Sequence, residues 1–317
     1  MMAELSNKQI IFLAPLFKEM IWGGNKLAEK FNYNIPSEST GECWAIAANK
    51  NGDCRIVTDG FENYTLSRLW KEHRELFGNL ENDVFPLLIK ILDAKTDLSI
   101  QVHPDDDYSA KYENGSLGKT ECWYVLDCDD DATIIIGHNA KNKDELELMV
   151  NENKWSDLLR EVKIKKGDFF QIESGCIHAI KGGTMIFETQ QNSDITYRLY
   201  DYGRLSADGK PRELHTKKAL DVITVPFKNY SVERNVQTHE GYTREMLVKC
   251  DYYSLDKINI TSQAEISQRY NFMNVSVIDG NGTVDGFEIK KGMHFILPNK
   301  YGIAEFKGNM ELLISYI

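Results

Sequence analysis

Four polar residues could converge on one divalent ion. Gln101 and His103 lie two apart in SIQVHPDD, Glu121 opens the apolar run ECWYVL, and His178 sits in GCIHAI. The stretch before the pair, FPLLIKILDAKTDLSI, is apolar and β-prone, so the pair belongs to a strand. Side chains at i and i+2 of a strand point to one face. An amide oxygen and an imidazole therefore project together. With a carboxylate and a second imidazole they make a mixed nitrogen and oxygen set suited to zinc or a similar divalent ion. Taken singly, a buried glutamine or histidine is more often a hydrogen-bonded core residue than a ligand. The arrangement is what sets these apart. Cys122 and Cys176 flank proposed ligands and are rival zinc donors, but Cys122 neighbours Glu121 on a strand and so faces the other way.

The first part reads Q-x-H, a gap, then E; the second reads G-x5-E-x-G-x2-H from Gly167 to His178. These resemble the two halves of the metal signature of cupins, small β-barrels of the jelly-roll kind. Gln101 stands where that signature usually has its first histidine, and Glu173 where it usually has proline. The gap between the halves is long for a simple cupin and implies an insertion.

A wider set of segments points to one family. They are LFKEMIWGG (16–24), TGECWAIAA (40–48), FPLLIKILDA (85–94), SIQVHPDD (99–106), GKTECWYVL (118–126), GCIHAI (175–180) and ETQQNSDITYRLYDYGR (188–204). With these the chain resembles the type I mannose-6-phosphate isomerases, in particular the short bacterial form. The likeness covers most of the first two thirds and weakens after residue 226. It implies a zinc-dependent aldose–ketose isomerase that interconverts mannose 6-phosphate and fructose 6-phosphate through a cis-enediol(ate). It implies one Zn2+ per chain, other divalent ions being able to substitute, on Gln101, His103, Glu121 and His178. It gives Lys119, Glu188, Asp194 and Arg198 as catalytic, and Lys90, Ser99, Arg198 and Arg204 as substrate-binding.

The residue types suit that chemistry. Moving a hydrogen between C1 and C2 places negative charge on oxygen, which a divalent ion stabilises as a Lewis acid. A base must take the proton and return it. Lys119 stands two before Glu121, so on an extended segment its ammonium shares the ligand's face; otherwise it is a surface lysine after Gly118. Lys90 interrupts the apolar LLIKIL and must meet a polar cavity or an acid. Arginine forks suit phosphate, which favours Arg198 and Arg204. Glu188 and Asp194 could equally be ion pairs that fix a loop. Lys119 is the first choice of base, with Lys90 and Asp194 as rivals.

Composition sets bounds on partners. The 317 residues carry a formal charge of −11 with both signs interspersed. That argues against nucleic acid or an anionic membrane as partner. A phosphorylated substrate would need a local cluster of positive charge. The N-terminal stretch lacks the pattern of a secretory signal, and no segment has transmembrane length. Six cysteines occur singly with no C-x-x-C, as expected for thiols in a reducing cytoplasm. The expected partner is a small sugar phosphate, and the expected state a monomer or weak homo-oligomer.

Short strand-like runs separated by Gly, Asn and Asp clusters dominate: 56–60, 133–138, 163–174, 184–189, 273–280 and 310–315. Helical spacing is confined to 65–78, 143–162 and 213–223. The expected fold is all-β: two cupin-like jelly-roll barrels with small helical insertions. EVKIKKGDFFQIESG (161–175) is echoed by GFEIKKGMHFILPNK (286–300), which suggests duplication. The expected domains are 1–234, catalytic, with N-terminal strands, and 235–317, a degenerate cupin-like unit with no metal site. His294 is isolated there and reads as a strand residue. Two other functions stay open: another cupin metalloenzyme, a dioxygenase or epimerase, or a non-catalytic sugar-phosphate-binding cupin. A dioxygenase would favour redox-active iron held by histidines.

Overall fold

The computed structural model describes residues 8–206, 209–230 and 234–317. The protein is mostly β, and three sheets carry the fold. A six-stranded antiparallel sheet runs in the order Phe169–Ile172, Glu121–Cys128, Thr184–Gln191, Leu87–Ala94, Leu16–Gly24, Thr40–Ile46. A five-stranded sheet runs in the order Leu159–Lys163, Thr133–His138, His178–Ile180, Ile100–Val102, Tyr197–Tyr200. From Leu87 onward the chain passes repeatedly between these two sheets, so residues close in sequence end on facing walls. Leu92, Val125 and Ile186 of one sheet pack with Ile134, Ile136 and Ile180 of the other.

The third sheet has ten strands and is built mainly from the C-terminal part. It packs on the outer side of the six-stranded sheet. Met185 and Phe187 face Leu247, Leu255 and Leu313, while Ile186 between them faces the inner core. The six-stranded sheet is thus covered on both sides. This explains why Leu87–Ala94 and Thr184–Gln191 are buried at every position and read as continuous runs rather than alternating ones.

One pairing crosses the expected boundary at 234/235. The strands Ile11–Ala14 and Arg55–Ile56 belong to the ten-stranded sheet, with Ile11 opposite Ile296 and Leu13 opposite Ile56. The strand expected over 56–60 also ends early: Thr58 turns back to bond Phe12 N and Ile10 O at 2.7 and 2.9 Å. Four helices fall near their expected places, at Leu66–Glu72, Lys143–Asn151, Trp155–Leu158 and Thr216–Val222, and two more, Lys26–Phe31 and Asp106–Tyr112, lie where no helix was expected. Leu66, Leu69 and Trp70 bury one face of the first. Leu159–Lys163, expected as helix end, pairs instead with Thr133–His138. No described helix is long and apolar enough to cross a membrane.

The sequence echo has the same backbone pairing in both places. Gly167 N bonds Val125 O, and Val125 N bonds Asp168 O, each at 2.9 Å. Gly292 N bonds Val277 O at 2.9 Å, and Val277 N bonds Met293 O at 3.0 Å. Both glycines have φ +88°, the left-handed region that a side chain disfavours. The repeated K-K-G is therefore a repeated turn geometry. His294 lies on the strand after the second turn, buried, with Nδ1 2.9 Å from Ser276 Oγ and Nε2 2.8 Å from Tyr33 OH. Burial lowers its pKa to about 3, so it stays neutral.

The ten-stranded sheet buries an ion pair that should matter to stability. Asp256 is buried and accepts from Arg244 Nε at 2.8 Å and from Tyr316 OH at 3.1 Å. Breaking a buried pair typically costs about 3–5 kcal/mol. The Arg244 side chain is 30% exposed and Tyr316 would remain, so the cost here should be smaller. Arg244→Ala is expected to lower unfolding stability by about 2 kcal/mol with turnover unchanged. Denaturant titration beside an activity assay checks both parts.

Candidate active site

Two rows of cross-strand neighbours build the site. In the five-stranded sheet His178 stands opposite Gln101, and Gln101 opposite Arg198. In the six-stranded sheet Trp44, Lys90, Glu188 and Trp123 stand opposite one another in that order. Directly opposed residues share a face. The inner faces of both sheets therefore carry polar rows, and a cavity of about 330 Å³ lies between them. Lys90, Ser99, Gln101, Lys119, Glu188, Asp194 and Arg198 all line it.

His103, Glu121 and His178 are buried beside Gln101 and Lys119. His103 Nδ1 donates to Ile195 O at 2.8 Å, and His178 Nδ1 donates to Cys176 O at 2.9 Å. A carbonyl only accepts, so each ring carries its proton on Nδ1 and a lone pair on Nε2. The two Nε2 atoms are 3.1 Å apart. Glu121 Oε2 is 3.4 Å from His103 Nε2, and its Oε1 is 3.6 Å from His178 Nε2. The Gln101 amide lies 3.2 Å from His178 Nε2, and a half-turn of that amide presents its oxygen at the same place. Bonds of about 2.0–2.1 Å to a tetrahedral zinc put neighbouring ligand atoms about 3.3 Å apart. His103, Glu121 and His178 are thus spaced as neighbouring corners of such a shell, with the Gln101 amide beside His178.

The electrostatics agree. Two imidazole lone pairs facing each other beside a carboxylate repel unless positive charge sits among them; the Lys119 ammonium supplies it at His103 and Glu121, and a divalent ion would supply it to both rings. Glu121 Oε1 is buried with no hydrogen-bond partner, as a ligand oxygen would be. Burial, then Lys119, lowers the His103 pKa to about 4, which keeps the imidazole neutral. Burial, and Lys119 after the opposing Glu121, also lower that of His178. Burial works against the Glu121 carboxylate, but Lys119 and His103 outweigh it and hold its pKa well below the usual range. The donor set fits a divalent ion.

Around this cluster the other expected residues take distinct places. Lys119 Nζ donates to Glu121 Oε2 and lies 3.0 Å from His103 Nε2. Lys90 Nζ is 3.4 Å from Glu188 Oε1 and sits over the Trp44 ring. Burial disfavours its charge, but Glu42 and Glu188 prevail and raise its pKa. Glu188 Oε2 accepts from Trp123 Nε1 at 3.0 Å. Ser99 Oγ is 3.5 Å from Gln101 Oε1. Asp194 accepts from Asn51 Nδ2. Arg198 Nη1 donates to Glu213 O at 2.8 Å.

Arg204 is not among the cavity-lining residues. Its Nη1 donates to Asp97 O and its Nη2 to Asp201. Arg212, Glu42, Trp22 and Trp44 do line the cavity, and the motif reading did not single them out as site residues. Glu42 and Trp44 lie in the TGECW segment, two apart and joined by a 2.6 Å bond from Trp44 Nε1 to Glu42 Oε2. That spacing was a usable signal. Arg212 follows a loop and carried none. A larger cavity of about 620 Å³ lies on the ten-stranded sheet beside Arg244 and Tyr316, away from the cluster.

Residues 10–157 match the catalytic domain of phosphomannose isomerase type I, and residues 243–317 match the cupin domain of mannose-6-phosphate isomerase. Sheets, cavity and match together define an enzyme of the cupin kind. Over 316 residues the chain is 51% identical to the mannose-6-phosphate isomerase ManA of Bacillus subtilis, covering 97% of this chain and 98% of that one. It is 43% identical over 310 residues to the mannose-6-phosphate isomerase of Streptococcus mutans, covering 96% and 98%. The crystal structure of the mannose 6-phosphate isomerase from Bacillus subtilis superposes with a TM-score of 0.96 at 48% identity, covering 98% of this chain and 100% of that one. The chain belongs to the type I mannose-6-phosphate isomerases.

Proposed function

We propose that this enzyme interconverts mannose 6-phosphate and fructose 6-phosphate through a cis-enediolate, with zinc held by Gln101, His103, Glu121 and His178. The observation that carries the metal reading is the pair of Nδ1-anchored imidazoles whose bare Nε2 atoms stand 3.1 Å apart beside a buried carboxylate. When bound, zinc would supply Lewis-acid stabilisation of the negative charge that develops on sugar oxygen.

The chain's own residues supply the rest. Lys119 is placed to hold or move a proton at the edge of the cluster. Lys90 and Glu188, fixed against Trp44 and Trp123, offer a donor and an acceptor to sugar hydroxyls. Three tryptophans, Trp22, Trp44 and Trp123, form an apolar wall that limits water. Arg198 offers guanidinium donors at the far end of the row that begins at His178.

The fold reading follows the same line. The facing six- and five-stranded sheets make one cupin-like jelly roll, and the ten-stranded sheet a second without a metal site. The paired turns at Gly167 and Gly292 support their duplication. The six free cysteines favour a reducing cytoplasm.

The test is direct. Purified protein is expected to carry one zinc per chain and to form fructose 6-phosphate from mannose 6-phosphate in a coupled assay. Chelation should abolish the rate and added zinc should restore it. Full activity in a chain shown to hold no metal would overturn the proposal.

A further inference from the structure

The repeated turns at Gly167 and Gly292 set Val125 level with Val277, and the correspondence carries across both sheets. In the six-stranded sheet the row along the catalytic cavity runs Trp123, Glu188, Lys90, Trp44. In the ten-stranded sheet the row at the same register runs Val275, Ile314, Asp256, Met246, Asn235. Asp256 therefore takes the place of Lys90, and Ile314 that of Glu188. Met273 takes the place of the proposed ligand Glu121: it stands opposite Leu297, as Glu121 stands opposite Ile172. The faces correspond too. Leu92 and Ile186 look into the core beside the catalytic cavity, and their counterparts Ile258 and Leu312 into the C-terminal core.

A cavity lies on this second row as well. Its volume is about 620 Å³, against about 330 Å³ for the catalytic one, within the range usual for small-molecule sites. Asn235, Met246 and Asp256 of the row line it. The charged side chains in its wall, Arg244, Lys249, Asp251 and Asp256, cancel, and the overall charge of −11 gives an anion no help. The rest of the polar lining is mainly amide and phenol: Asn235 and Gln237 on the edge strand, with Tyr252, Tyr270 and Tyr316. Tyr270 stacks on Tyr316 with ring centroids 3.7 Å apart, a fixed aromatic platform. Asp256 is 1% exposed. Arg244 and Tyr316 both bond its Oδ2, while Oδ1 is buried with no hydrogen-bond partner. A buried acceptor of that kind calls for a donor.

Tyrosine faces, amides and an unsatisfied carboxylate oxygen, without net charge, suit a ligand that has hydroxyl donors and an apolar ring face. A neutral saccharide has both. We propose that this cavity is a second, non-catalytic site for an unphosphorylated sugar, at the register where the other unit holds its catalytic cavity. Tyr270 stacks on the sugar ring, Asn235 and Gln237 bond its outer hydroxyls, and Asp256 Oδ1 accepts from an inner one. Arg244 fixes the carboxylate through Oδ2 and does not touch the sugar. The site stands apart from the isomerase reading, since neither zinc, phosphate nor turnover enters into it.

Methyl α-D-mannopyranoside is the probe, because its locked ring and missing phosphate prevent isomerisation. It is titrated calorimetrically into the zinc-loaded enzyme, and hydrogen exchange locates it. A single hexose should bind with a dissociation constant of about 1 mM. It should slow exchange in Tyr242–Lys249 and Ser254–Ile260. Protection of Ile100–Val102 and Glu121–Cys128 would instead report the catalytic cavity. Met246→Trp fills the second cavity from the middle of its row and should remove the binding. Met246 is 36% exposed, so the larger ring can enter the cavity without repacking the core. Tyr270→Ala should weaken binding about tenfold, the worth of one aromatic face. Thermal unfolding checks that both variants fold. Should either fail to, Asn235→Ala on the exposed edge strand replaces it, with a loss of about fivefold expected for one hydrogen bond. Absence of saturable binding, native affinity in the folded variants, or protection confined to the catalytic wall would overturn the assignment.

Discussion

Replacing His178 with alanine is expected to remove the metal and the turnover together. His178 is wholly buried, and its Nε2 has a polar neighbour on three sides: His103 Nε2 at 3.1 Å, the Gln101 amide at 3.2 Å and Glu121 Oε1 at 3.6 Å. Its loss leaves one imidazole, a carboxylate and an amide, with the Lys119 ammonium already bonded to two of these groups. That residual set should favour the lysine over a divalent ion. Lewis-acid stabilisation contributes several kcal/mol to such a transition state. A loss of about 10³-fold or more in rate follows. Folding should survive, because the cavity left beside Trp123 costs about 1–3 kcal/mol. Metal content, rate and thermal unfolding distinguish these effects. Added zinc should rescue chelated wild-type enzyme but not His178→Ala. A variant that keeps stoichiometric zinc and a normal rate would remove His178 from the ligand set.

The site was legible in the sequence where strand periodicity decided it. Gln101 and His103, then Lys119 and Glu121, are i,i+2 pairs, and period-two geometry puts each pair on one face; only Gln101 and Glu121 lie within strands, Ile100–Val102 and Glu121–Cys128, with His103 and Lys119 directly flanking them. Lys90 was legible for a different reason: a charge inside LLIKIL must find a partner, and the structure supplies Glu188 directly across the ladder. Sequence reasoning did worse where a loop sets direction. Between Tyr200 and Thr216 the chain has no regular period, so nothing in the spacing says which of Arg204 and Arg212 turns inward. The answer depends on Asp201 and on the carbonyl of Asp97, which is distant in sequence. Long-range strand pairing was hidden for a similar reason. Ile11–Ala14 is apolar enough for any sheet, and its partner His294–Leu297 is fixed only by the packed whole. The ten-stranded sheet therefore takes in the N-terminal strand Ile11–Ala14, and the N-terminal and C-terminal parts of the chain share strand pairing as well as a common core.

Lys119→Met is expected to suppress proton exchange at C2 and net turnover together. Lys119 is buried, lines the cavity and reaches both Glu121 and His103. Methionine keeps most of the side-chain volume and removes the amine, so packing changes little. Two roles are open to the amine. As a base it takes the proton from carbon, and its loss should cost about 10²–10⁴-fold. As a fixed ammonium it only stabilises charge on oxygen. Exchange of the C2 hydrogen with solvent deuterium separates them, because it follows proton abstraction whether or not product is released. If lysine is the base, exchange and turnover fall by the same factor while zinc stays bound. If exchange continues at the native rate in a variant that still binds zinc and substrate, the proton goes elsewhere. Asp194 then becomes the better candidate, since it lines the same cavity and is held in place by Asn51. Glu188 is less suited to that part, because both its oxygens are already engaged by Lys90 and Trp123.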